Sequence, residues 1–245
     1  MTEAIVLSNA LGTTSRLWDG QLPALAPRFR VLRYEHRARP SVELLARDVL
    51  ELLDAEGIER AHFCGISLGG AVGMWLGANA AERVDHLVLA CTAAQFPDPE
   101  RYRERAVLVR DEGTEPVVDA TLDRWFTPSF PDRALFRAML RAAPREAYAS
   151  CCEAVASWDF RDRLGEIAAP TLVVAGSDDP TVPPDDAERL AAAIPGARLA
   201  VLEGARHLAN VEQAARFNEL VIAHFQEVST HSQEVSTHSQ GEEEP

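Results

Sequence analysis

Six short apolar runs, separated by longer stretches with helical spacing, constrain this chain more than any other feature. The runs cover residues 5–8, 30–34, 61–65, 84–90, 171–175 and 199–202. Several are continuously apolar, the pattern of strands covered on both faces; a half-solvated strand would alternate. Between them, residues 41–56 carry Val42, Leu45, Val49, Leu52 and Leu53 on one stripe, closed by Gly57. Residues 185–194 place Ala187, Leu190, Ala191 and Ile194 on one face, ahead of Pro195-Gly196. Strand and helix in alternation predict a doubly wound, mostly parallel α/β sheet with helices on both faces. The rhythm breaks between residues 96 and 166, where helical segments such as 150–158 follow one another without a strand. An insertion there reads as a helical cap over the carboxyl edge of the sheet, where open α/β sheets bind ligands. The core is expected over residues 1–95 and 167–226, and the cap over 96–166.

At 245 residues the chain can bury a core of this size as one domain without disulfides or metals. No apolar run approaches the roughly 18 residues of a membrane span. The N-terminus runs from Met1-Thr2-Glu3 into Ala4-Ile5-Val6-Leu7 without a basic leader, so a cytoplasmic location is expected. The four cysteines, Cys64, Cys91, Cys151 and Cys152, show neither a CxxC pair nor zinc-ligand spacing and read as small core hydrophobes. Net charge is −14, and five of those charges belong to residues 227–245, where EVSTHSQ is repeated before Gly241-Glu242-Glu243-Glu244-Pro245. That polar tail cannot bury an apolar face and is expected to be disordered. An acidic surface disfavours nucleic acid as a partner. All 24 basic residues are arginine, which removes Schiff-base chemistry, Ser–Lys dyads and a phosphate-loop lysine together.

The chemistry concentrates at the ends of strands. Gly65-Ile66-Ser67-Leu68-Gly69-Gly70 follows one apolar run and opens the helix-like stretch 71–80. That is the setting of a nucleophile elbow, in which a serine sits on a tight turn at a helix N-terminus. Its partners should follow in the order acid then histidine, each in a loop after a later strand. The run at 171–175 leads into Gly176-Ser177-Asp178-Asp179-Pro180, and the run at 199–202 into Glu203-Gly204-Ala205-Arg206-His207. Among seven histidines only His207 holds such a position; Asp178 and Asp179 compete for the acid. The loop Ser8-Asn9-Ala10-Leu11-Gly12-Thr13 follows the first strand, where the second backbone donor of an oxyanion hole is supplied. By position, the two donors are the N–H groups of Leu11 and Leu68.

Five segments together resemble the 3-oxoadipate enol-lactonases: LSNALGTTSRLWDGQLPALAPRFRVLRY, AHFCGISLGGAVGMWLGANAAERVDHLVLA, DRWFTP, PTLVVAGSDDPTVPP and GARHLANVEQ. The resemblance spans nearly all of residues 4–226. It implies an α/β-hydrolase fold with the cap between the family's sixth and seventh strands, and it sets Asp179 as the acid. It also implies hydrolysis of 3-oxoadipate enol-lactone, a small anionic lactone, through an acyl-enzyme and without a cofactor. The chain departs from the family in three places. The two strands that ordinarily precede residue 5 are absent. The loop after Arg37 jumps directly to Ala38-Arg39-Pro40-Ser41, and the cap is short between Phe130 and Leu135.

The lactone's carboxylate calls for a cation or donors in the cap. Without lysine, Arg124 of the RWFTP segment is the first choice, with Trp125 beside it and Arg37 or Arg133 in reserve. Two other readings fit the same motifs: a different serine-dependent esterase or carbon–carbon hydrolase, and a hydrolase fold that binds without catalysing.

Overall fold

Every apolar run forms a strand in the computed structural model, which describes residues 2–227. The strands are β1 (Ala4–Ser8), β2 (Arg30–Tyr34), β3 (Ala61–Ile66), β4 (Val84–Ala90), β5 (Thr171–Gly176) and β6 (Arg198–Leu202). They make one wholly parallel sheet in the order β2-β1-β3-β4-β5-β6. The repeat expected to be disordered lies outside the described residues from position 228 onward. Among the described residues no strand precedes β1, and no helix is long and apolar enough to cross a membrane.

Parity along the strands sorts side chains between two cores. Ala4, Val6, Phe63, Leu87, Leu89 and Val173 face one way, against α2 (Val42–Ala55), α3 (Leu68–Asn79) and α8 (Pro184–Ala193). Ile5, Leu7, Cys64, Val88 and Val174 face the other, against α1 (Leu22–Leu25) and α10 (Ala214–Phe225), with α9 (Ala209–Glu212) beside them. Central strands β1, β3 and β5 are buried at every position, whereas edge strands β2 and β6 are largely open. Arg30 and Arg33 accordingly stand at open positions of edge strand β2, whereas the central runs at 5–8 and 171–175 carry no charge.

Helix boundaries follow their caps. The Ser41 side chain accepts from the Leu44 N–H to begin α2, and Gly57, at φ 65, lies just beyond its end. α3 starts at Leu68, directly from the turn at Ser67 and three residues earlier than the apolar pattern indicates. Between β4 and β5 the chain leaves the sheet for α4 (Pro99–Glu112), α5 (Val118–Trp125), α6 (Ala134–Ala142) and α7 (Arg145–Ser157). α7 begins five residues before the expected 150, because Pro144 stands at its N-cap with an extended ψ and a φ already suited to the turn. Cys151 and Cys152 point into packed surroundings, where burial pushes both thiols up to about 12.

The direction of chain travel changes between β1 and β3. From β1 the chain moves to β2 on one side, and from β3 to β4 on the other. The carboxyl ends of β1 and β3 therefore border a crevice that no crossover fills, the place where parallel sheets take ligands.

Candidate active site

Ser67 stands in that crevice, at the junction of β3 and α3, with φ 56 and ψ −117. Non-glycine residues seldom hold such a conformation, and it persists only where the surroundings enforce it. Three bonds do so here. The Ser67 N–H donates to Ala90 O at 2.8 Å, the Thr92 hydroxyl donates to Ser67 O at 2.8 Å, and the Gly69 N–H donates to Asn9 O at 3.0 Å. The flanking glycines follow from close approach. A Cβ on Gly65 would lie 2.1 Å from Gly69 O, and one on Gly69 would lie 2.3 Å from Ser8 O. The spacing of glycines about the serine is thus a steric consequence of pressing a helix onto two strand ends.

Two later loops bring the partners. Asp179, after β5, is fixed by the N–H groups of Thr181 and Val182, which donate to Oδ1 at 2.8 and 3.1 Å. Its Oδ2 lies 2.8 Å from Nδ1 of His207, in the loop after β6. Nε2 of the same ring lies 2.9 Å from the Ser67 hydroxyl. A carboxylate only accepts, so Nδ1 carries the proton and Nε2 presents a lone pair to the hydroxyl. All three side chains are buried. Asp178 is exposed and accepts from the Ser177 hydroxyl instead, so the geometry separates the two aspartates that the sequence leaves level. A hydroxyl donating to an imidazole that a buried carboxylate orients is an arrangement able to generate a nucleophile.

A narrow pocket of about 30 Å³ opens over Ser67 and His207 and is lined by both sheet loops and insertion. Leu11 forms part of its wall. Leu68 is fully buried at the first position of α3, where helix N–H groups have no intrahelical acceptor. The loop carrying Leu11 turns at Gly12, whose φ is 78; a Cβ there would lie 2.7 Å from the Tyr148 ring.

The roof of the pocket is cationic. Arg124 and Trp125, at the end of α5, both line it, and so do Arg101 and Arg105 of α4. Among the described residues none of these three arginines makes an ion pair with a carboxylate. Arg105 is only 8% exposed and its Nε has no hydrogen-bond partner. Arg105 and Arg124 both donate to the Thr121 hydroxyl. Burial, together with Arg105 and Arg101 nearby, lowers the Arg124 guanidinium to about 10. Arg105 also lies over the ring of Tyr148, whose buried hydroxyl is likewise unpartnered. Cations gathered without a counter-charge make a pocket suited to an anion.

The two reserve arginines sit elsewhere. Arg133 is a structural clip, paired with Asp123 at 2.9 Å and donating to Thr127 O at 2.6 Å. Arg37 is exposed and does not line the pocket. The sequence gives little sign of Arg101, Arg105 and Tyr148 as site residues. The one signal is a cation, Arg105, on the otherwise uncharged buried stripe of Tyr102, Ala106 and Val109. Glu212 is equally unmarked in the sequence. Its Oε1 accepts from the Thr127 N–H and hydroxyl, both at 2.7 Å, and its Oε2 accepts from the Arg206 N–H at 2.6 Å. With the Leu208 N–H donating to Trp125 O at 3.1 Å, it ties the His207 loop to the RWFTP segment.

Residues 5–220 match the alpha/beta hydrolase family. The chain is 37% identical to 3-oxoadipate enol-lactonase 2 of Acinetobacter baylyi, over 90% of this chain and 87% of that protein. Among solved structures, the enol-lactonase from Burkholderia xenovorans LB400 superposes with a TM-score of 0.90 at 39% identity, covering 93% of this chain and 92% of that one. A hydrolase from Pseudomonas aeruginosa PA01 gives a TM-score of 0.88 at 41% identity, covering 92% and 91%. The resemblance and the fold class read from the sequence are both borne out.

Proposed function

The chain is an enzyme of the alpha/beta hydrolase family, and from that premise we propose that it opens 3-oxoadipate enol-lactone, a lactone bearing a carboxylate side chain, through an acyl-enzyme. The observation that carries the reading is the meeting, in one pocket, of Ser67 and His207, the latter held by Asp179, with three arginines that have no carboxylate partner among the described residues. The enol-lactonases of A. baylyi and B. xenovorans, to which most of the chain is similar, support it.

In this mechanism His207 Nε2 takes the Ser67 proton as Oγ attacks the lactone carbonyl, and Asp179 stabilises the imidazolium that forms. The N–H groups of Leu11 and Leu68 hold the oxyanion; one such donor contributes about 3–4 kcal/mol to lowering the barrier. The ring C–O bond breaks, the proton returns from His207, and the enol leaving group ketonises while still tethered to the acyl chain. Water deprotonated by His207 then releases 3-oxoadipate, now a dicarboxylate. The carboxylate present from the outset sits under Arg105 and Arg124, with Arg101 near. Trp125 closes the pocket wall beside them.

A hydrolase of neutral esters would need no such cations, and that separates this reading from the other serine-hydrolase readings. The test is a pair of measurements. Initial rates on the enol-lactone and on a neutral lactone of similar size should favour the anion by at least tenfold in kcat/KM. A fluorophosphonate should label the wild type and fail to label Ser67→Ala, which should lose several orders of magnitude in kcat. Labelling with no preference for the anion would leave a serine hydrolase of another specificity; no labelling and no turnover would leave a binding protein.

A further inference from the structure

At the amino end of the sheet, away from Ser67, the register between β3 and β4 slips. Ala61 lies opposite Val84 and Phe63 opposite Leu87, so Asp85 and His86 together face the single residue His62. A bulge of this kind turns side chains that would otherwise alternate toward a common point. Here each of the three residues brings one donor atom to within 4.8 Å of the others. Nδ1 of His62 is 3.7 Å from one Asp85 oxygen, and Nδ1 of His86 is 3.8 Å from the other.

Both imidazoles are almost wholly buried, at 1% and 2% exposure, yet none of their four ring nitrogens has a hydrogen-bond partner among the described residues. Neighbouring His224 makes the contrast: its Nε2 lies 3.2 Å from both Leu87 O and Pro170 O, and its Nδ1 lies 3.1 Å from Arg198. Buried polar atoms are ordinarily satisfied, and unsatisfied ones on converging side chains need an account.

We propose that His62, Asp85 and His86 form a binding site for a divalent transition-metal ion of the zinc class, with water completing the ligand shell. Glu3 Oε2, 3.5 Å from His62 Nε2, lies at the ring edge opposite Asp85 and would hold the imidazole while Nδ1 meets the ion; Asp85, 25% exposed, opens the site to solvent. Two imidazoles and a carboxylate suit zinc, cobalt or nickel, and a neutral imidazole is the ligating form. Metal–ligand bonds of about 2.1 Å place ligands of a tetrahedral site roughly 3.4 Å apart, so the 3.7 and 3.8 Å separations of Asp85 from the two imidazoles need to close by a few tenths of an ångström, within a trio whose donors all lie inside 4.8 Å. Arg60 Nη2, 3.3 Å from Asp85, is half exposed and can withdraw into solvent. The ion would clip β3 to β4, a structural role remote from the pocket.

The experiment uses the full chain with His231→Gln and His238→Gln, so that the tail imidazoles do not compete. Zinc titrated calorimetrically should bind at one ion per chain, and cobalt should give visible ligand-field absorption. At zinc about a hundredfold above Kd, Tm should rise by roughly 5–10 °C, while magnesium leaves it unchanged. Asp85→Asn and His62→Phe should each weaken zinc binding at least tenfold. His62→Phe keeps a ring between Phe29 and Phe225, and Asp85→Asn removes only the charge of a partly exposed group, so one of the pair decides if the other fails to fold. The proposal is overturned by no saturable binding, by an equal response to magnesium, or by zinc binding that neither substitution moves. Binding that vanishes with the tail histidines overturns it as well.

Discussion

Arg105→Gln tests the cationic roof most directly, because it should move stability and specificity in opposite directions. Arg105 is 8% exposed, donates to Thr121, and has no carboxylate among the described residues to offset its charge. Glutamine can keep the donor to Thr121 while removing that charge. Without substrate, one of three clustered cations is gone, so the free protein should melt at the same temperature or higher. With substrate, a charge-assisted bond worth about 1.5–3 kcal/mol is replaced by a neutral one worth about 0.5–1.5 kcal/mol. The net loss of roughly 1–2 kcal/mol predicts a five- to thirtyfold fall in kcat/KM for the anionic lactone. A neutral lactone of the same ring size should change less than twofold. The assay is initial rate against concentration for both substrates, with thermal melts of the free proteins. An equal fall on both substrates, or a melting temperature several degrees lower, would show that Arg105 is a packing element and refute the anion site.

Gly69→Ala places a methyl group 2.3 Å from Ser8 O, so the loop bearing Leu11 must draw away from Leu68; kcat should fall roughly a hundredfold or more with secondary structure retained by circular dichroism, and a fall under threefold would contradict the oxyanion assignment. Glu212→Gln keeps size but loses the charge that gathers Thr127 and Arg206, and it should lower kcat roughly tenfold with KM little changed; unchanged kcat would remove Glu212 from the positioning of His207. Burial lowers His36 and His224 to about 4 from an ordinary 6.5, so the unfolded chain takes up protons that the native one refuses as pH drops through that interval. Stability is therefore full above about pH 6.5 and lost progressively toward pH 4; urea midpoints measured with a chelator from pH 7 to 4.5 should decline, and a flat profile would refute the buried, neutral assignment.

The parts of this protein legible in its sequence are those written in local periodicity. Six runs became six strands, most plainly β1 and β5, because a doubly covered parallel strand has no solvent face to encode. Ser67, Asp179 and His207 could be located because each must follow a strand, in a fixed order along the chain. What was hidden depends on contacts between distant segments. Arg105 and Tyr148 come from different helices, α4 and α7, and nothing in either segment alone shows that they meet over Ser67. Asp178 and Asp179 could not be separated from residue type, since only backbone geometry decides which carboxylate receives the N–H groups of Thr181 and Val182. His62, Asp85 and His86 do interrupt the apolar runs of β3 and β4, but the slip that sets two residues against His62 is a matter of register between strands, which the pattern along either strand does not encode.

The insertion leaves from β4 and returns to β5, strands that are hydrogen-bonded neighbours from Leu87 and Thr171 to Ala90 and Val174. Its two ends are fastened together by a short stem: the Trp158 indole donates to Ala93 O, the Phe160 N–H donates to Ala94 O, and Gln95 pairs with Asp159. The sheet therefore meets everything between as a single closed hairpin, whatever its length or contents, and closure costs only a slowly growing entropy as that hairpin lengthens. Such a lid is an interchangeable part. Evolution can exchange one for another of different size and charge while the strands and the serine turn beneath stay as they are. The same stem marks where a laboratory chimera should be cut, provided the incoming lid keeps an acceptor for the Leu208 N–H and a donor for Glu212.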